Sequence, residues 1–82
     1  MQEASLTKGE YRVGITFNPS NDSVVAEIKS ISAKLIDLIE EIPSDRESEV
    51  GNERGRLKAL AQTDVENAAM WAVKAATKQP RE

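Results

Sequence analysis

Three aromatic residues and a handful of cations carry the recognition chemistry available to this chain. Tyr11 is followed by Arg12, Phe17 by Asn18, and Trp71 stands inside an apolar run. A planar base stacked on an aromatic ring gains on the order of 1–3 kcal/mol. Arg12, Lys29 and the cluster Arg54, Arg56 and Lys58 supply positive charge. The turn Asn18-Pro19-Ser20-Asn21 leads into a helix start, where backbone N–H groups suit the oxygens of an anion. Tyr11, Arg12, Phe17, Asn18, Lys29 and Arg56 are therefore the candidate binding residues for a flat, anionic small molecule. Each also has a plainer use. Tyr11 and Phe17 can anchor an arm, Lys29 can lay its stem along an apolar seam, and Trp71 reads as core.

Catalysis has little raw material. The chain has no His and no Cys, the usual general base and nucleophile near neutral pH. No glycine-rich phosphate loop is present. The run Asp37-Leu38-Ile39-Glu40-Glu41 lacks the Glu-x-x-His element of a di-metal bundle. The expectation is a protein that is not an enzyme and holds neither metal nor cofactor. A net charge of −3 does not advertise the basic face that long DNA or RNA requires. Residues 1–8 lack the apolar core of a signal peptide, and no apolar run approaches the roughly 20 residues that span a bilayer. A soluble, cytoplasmic protein without a membrane partner is expected.

The elements that must position these residues follow from periodicity. Residues 1–21 read as an arm and turn, in which Tyr11, Val13, Ile15 and Phe17 alternate with Arg12, Gly14 and Thr16 as in an extended segment. Asp22 is a good N-cap for a first helix over 22–42, ended by Pro43. Val24, Ile28, Ile31, Leu35, Leu38 and Ile42 form its main seam at 4-3 spacing, with Val25, Ile36 and Ile39 as a second stripe. A connector over 43–51 and a second helix over 52–78 complete a single domain spanning 1–82. Ser44-Asp45-Arg46-Glu47 has a capping-box pattern, so the start of the second helix stays open between Ser44 and Asn52. Leu57, Leu60, Ala61, Val65, Ala68, Trp71, Ala72 and Ala75 share one face of that helix.

Ala68 to Val73 is apolar without interruption, and a helix apolar on most sides must be covered on most sides. A chain of 82 residues without disulfides cannot do this alone. The expected fold class is all-α: an antiparallel two-helix hairpin with a short extended N-terminal arm, assembled into a helical oligomer.

Five blocks, Tyr11-Arg12-Val13-Gly14, Phe17-Asn18-Pro19-Ser20, Ile28-Lys29, Ala33-Lys34-Leu35-Ile36-Asp37 and Glu66-Asn67-Ala68-Ala69-Met70-Trp71-Ala72-Val73-Lys74-Ala75-Ala76-Thr77-Lys78, occur here in order. In these the chain resembles the phage hairpin family of immune-signal sponges, which comprises the anti-CBASS protein type 2 and the hairpin of the Thoeris anti-defence protein. The resemblance covers roughly 11–78 and implies a hexamer of hairpins. It implies sequestration, without cleavage, of cyclic dinucleotide messengers in the bacterial host cell, with cyclic trinucleotides or cyclic ADP-ribose isomers as further ligands. It also implies that Tyr11 and Lys29 match a tyrosine and a lysine that contact the dinucleotide. The short arm is nearer the anti-CBASS type than the Thoeris type, which carries additional sheet. The competing expectation is a non-catalytic helical adaptor whose apolar faces serve assembly and a protein partner.

Overall fold

The computed structural model describes residues 5–81. Residues 1–4 of the expected arm and residue 82 lie outside them. Among the described residues the chain forms three helices and no strand: α1 (Lys8–Val13), α2 (Ser23–Glu40) and α3 (Glu49–Ala76).

The extended arm expected over 11–17 is a helix and a turn instead. Thr7 accepts a hydrogen bond from the Glu10 N–H, and Glu10 returns one from the Thr7 N–H, a complete capping box. Gly14, at φ 66°, closes the helix in the left-handed conformation that glycine adopts without steric penalty. These two local stop signals outweigh a period-2 alternation that has no neighbouring strand to pair with.

α2 begins where expected. Asp22 accepts from the Val24 and Val25 N–H groups. It ends at Glu40, two residues short of the expected boundary, and Lys58 of α3 donates to the free carbonyls of Glu40 and Ile42 at 3.1 and 2.6 Å. α3 begins at Glu49 rather than Asn52. Its cap is Ser48, which accepts from the Gly51 N–H, not Ser44. Asp45 organises the connector, its carboxylate taking the N–H groups of Glu47 and Ser48 and the Ser48 hydroxyl. Those donors hold the Asp45 carboxyl below its ordinary range. The connector lies so close to α3 that a Cβ at Gly51 would strike the Asp45 carboxylate.

The expected seam of α2 is exchanged, and that of α3 is met only at Ala61, Val65 and Ala72. On α2 the residues buried within the chain are Val25 and Ile36 of the second stripe, with Lys29 and Ala33 between them, while Val24, Ile31, Leu35 and Leu38 of the main seam, and Ile42 just past the helix, stay exposed. On α3 Gly51, Gln62 and Ala69 are buried, and with the half-buried Gly55, Lys58, Val65 and Ala72 they form a 4-3 repeat of mostly small and polar residues; Ala61, Glu66 and Val73 are half-buried beside it. Leu57, Leu60 and Trp71 face outward. Small side chains let two helices approach closely, and the larger apolar ones are left for other surfaces. The molecule measures 55 × 39 × 14 Å with a radius of gyration of 15.5 Å, against about 12 Å for a compact chain of this length. The molecule is thin in one direction, so its broad faces stay open.

Candidate functional site

α1 is seated on α2 by backbone contact. The Gly9 N–H donates to Asp37 Oδ1 at 2.7 Å, and Lys8 Nζ pairs with Glu40 Oε1 at 2.8 Å. Gly9 allows this approach, since a Cβ there would stand 2.7 Å from the Ala33 carbonyl carbon and nearer still to its oxygen. Gln62 of α3 reaches the same carboxylate, donating to Glu40 Oε1 at 2.9 Å and to the Ile36 carbonyl at 3.2 Å. Glu40 thus joins all three helices. The Lys8 ammonium and the Gln62 amide stabilise its charged form and lower its carboxyl from 4.5 to about 2.

This seat leaves a groove of about 320 Å³ between α1 and α3, with α2 at its base. Arg12 and Val13 form one wall. Glu66, Asn67, Met70 and Val73 form the other, with Ala69 and Lys29 beneath. Glu66, Met70 and Val73 follow at i, i+4 and i+7, one face of a helix. A second groove of about 240 Å³ lies on the far side of Lys29, lined by residues 17–20 with Val25, Val73 and Thr77. Lys29 is the partition between the two.

Lys29 is buried, 7% exposed. Its ammonium donates to the Gly14 carbonyl at 2.9 Å and to the Phe17 carbonyl, and it sits 5.5 Å from the Phe17 ring centre. Two of its three donors therefore hold the turn that follows α1. Arg12, by contrast, belongs to neither ion pair among the described residues, which are Lys8–Glu40 and Arg56–Glu53.

Of the six residues selected from the sequence, the structure brings Arg12 and Lys29 to one groove and Phe17, Asn18 and Lys29 to its neighbour. Asn18 is engaged locally. Its side chain donates to the Asp22 carbonyl and accepts from the Asp22 N–H, fixing the entry into α2. Tyr11 projects from α1, 77% exposed and outside both grooves. Arg56 lies ten residues before Glu66 on α3, about 15 Å along the axis, and pairs with Glu53, which raises its own affinity for the proton and lowers that of Glu53. Glu66, Asn67, Met70 and Val73 were not singled out as site residues. The helical spacing of Glu66, Met70 and Val73 was the available signal, but nothing local says that α1 lies across them.

No group of three or more His, Cys, Asp or Glu side chains that could hold a metal occurs among the described residues. No helix there is long and apolar enough to cross a membrane.

These features define a small helical hairpin with a short helix laid across it and a mixed-charge groove between them. The chain belongs to the Acb2/Tad1 hairpin-domain family, whose model matches residues 9–77. No curated protein and no solved structure matches it.

Proposed function

We propose that this protein is a phage anti-defence sponge that binds cyclic oligonucleotide immune messengers in the bacterial host cytoplasm and withholds them without cleaving them. The observation that carries the reading is the Arg12–Lys29 groove in a member of this hairpin family. The Arg12 guanidinium is available to a phosphate, the floor is apolar, and rigid helices form the walls. A preorganised site keeps affinity that a floppy one would spend on ordering. Lys29 supports the site by holding the 14–17 turn. Phe17 and Tyr11 are exposed aromatic faces able to cover a base.

Self-assembly is part of the proposal. Val24, Ile31, Leu35 and Leu38 are exposed along one line of α2, continued by Ile42 after it, and Leu57, Leu60 and Trp71 along α3. One thin hairpin cannot cover them, and several hairpins packed together, six by analogy with the family, would.

Calorimetry against a panel of cyclic di- and trinucleotides and cyclic ADP-ribose isomers, with the mass of the assembly measured alongside, tests the reading. At least one ligand binds below micromolar and is recovered intact after the complex is denatured. Arg12→Ala weakens binding about tenfold, the loss of one charge-assisted contact, at unchanged mass. No ligand binding tighter than micromolar would overturn it.

A further inference from the structure

The wall of the groove opposite Arg12 is not cationic. It is lined by Glu66 and Asn67, consecutive residues of α3, together with Met70 and Val73. An anion-binding groove gains nothing from a carboxylate as a phosphate contact, because like charges repel. Glu66 belongs to neither ion pair among the described residues, and the Lys29 ammonium donates to the Gly14 and Phe17 carbonyls rather than to it. Its charge therefore divides the groove: phosphate is favoured at the Arg12 side and excluded from the Glu66 side.

A carboxylate is an acceptor only, whereas a carboxamide both donates and accepts. The ring edge that matches them presents two adjacent donors followed by an acceptor. Guanine has that edge in N1–H, the N2 amino group and O6. Adenine presents an unprotonated N1 at the corresponding place, whose lone pair would face the carboxylate. The groove volume, near the lower end for ligand sites, suits one nucleoside unit rather than a whole cyclic dinucleotide.

We infer that Glu66 and Asn67 form a base-reading edge that selects guanine in one half of the ligand ring. Glu66 accepts from N1–H and the N2 amino group, Asn67 donates to O6, and Met70 and Val73 support the ring plane. The inference rests on the nucleotide-sponge reading and adds the identity of the base.

The test is calorimetry of the full-length protein with cyclic di-GMP and cyclic di-AMP. The guanine ring binds at least tenfold tighter, the discrimination typical of one bidentate base contact. Glu66→Gln reduces guanine-ring affinity about tenfold and leaves adenine-ring affinity equal or improved, since a carboxamide can donate to adenine N1. Asn67→Ala weakens the guanine ring severalfold and the adenine ring not at all, and provides an independent variant. Glu66 is half-exposed and Asn67 exposed, so neither substitution disturbs the core. Equal affinity for the two rings, or an equal loss of both in Glu66→Gln, would overturn the guanine assignment and leave the sponge reading standing. Binding of neither ring, nor of any other cyclic nucleotide, would overturn both.

Discussion

Gly9→Ala is the most informative single substitution. An exposed helical glycine replaced by alanine ordinarily stabilises by up to about 1 kcal/mol. At Gly9 the new methyl would lie 2.7 Å from the Ala33 carbonyl carbon, 0.7 Å inside the 3.4 Å of ordinary contact and further inside for the oxygen. The obstacle is backbone within α2 and cannot rotate away, so α1 must withdraw. Withdrawal breaks the Gly9–Asp37 hydrogen bond and strains the Lys8–Glu40 pair. Overpacking of this kind costs about 1–3 kcal/mol and the lost hydrogen bond about 1 more, which together exceed the gain in propensity. Net destabilisation of about 1–3 kcal/mol is expected in urea unfolding followed by circular dichroism. The matched control is Gly55→Ala, where the nearest atom to the new methyl is Ser44 Cβ at an ordinary 3.8 Å; it should be neutral or stabilising. Because Arg12 rides on α1, Gly9→Ala should also lower ligand affinity at unchanged assembly mass, while Gly55→Ala leaves affinity alone. Equal stabilisation by both substitutions would refute the backbone seat.

The Glu40 junction makes stability depend on pH. A carboxyl lowered from 4.5 to about 2 on folding adds stability that is present above pH 4.5 and is lost as pH falls toward 2, so the gap in urea midpoint between wild type and Glu40→Gln should close across that window. Lys58→Met removes the donor to the last carbonyls of α2 and should cost about 1 kcal/mol in the same assay. Lys29→Met should free the turn after α1, seen as faster hydrogen exchange at the Phe17 amide, which donates to the Gly14 carbonyl. Leu38→Glu, on the uncovered line of α2, should lower the mass of the assembly in light scattering while helical content is kept.

The hairpin was legible in the sequence because its signals are local and strong: Asp22 as a cap, Pro43 as a stop, and long 3.6-period segments on either side. The failures have separate physical causes. Tyr11 to Phe17 alternates cleanly and reads as extended, while the residues that fold its first half into a helix are Thr7 and Glu10 ahead of it and Gly14 within it. The exchanged seam of α2 has a deeper cause. Periodicity shows that a stripe will be covered, not which molecule covers it, and here the most apolar stripe is not the one used inside the chain. Arg12 and Lys29 were found among the candidates because cations near aromatics stand out. Glu66 and Asn67 were passed over, since an acid on a helix is usually only a solvated face.

Gln62 has a consequence for alignment. The seam of α3 is otherwise built of glycine, alanine, valine and a lysine stem, residues that would tolerate a slide past α2. A slip of one heptad displaces α3 by about 10 Å and would carry the Gln62 amide, 2% exposed, away from both of its acceptors. An unpaired buried amide costs about 1–3 kcal/mol, enough to make the observed registry the preferred one among the few that packing alone permits. A single polar side chain thereby indexes the two long helices like a vernier, and the distance between Arg12 and the Glu66 wall is set from one turn away along α3.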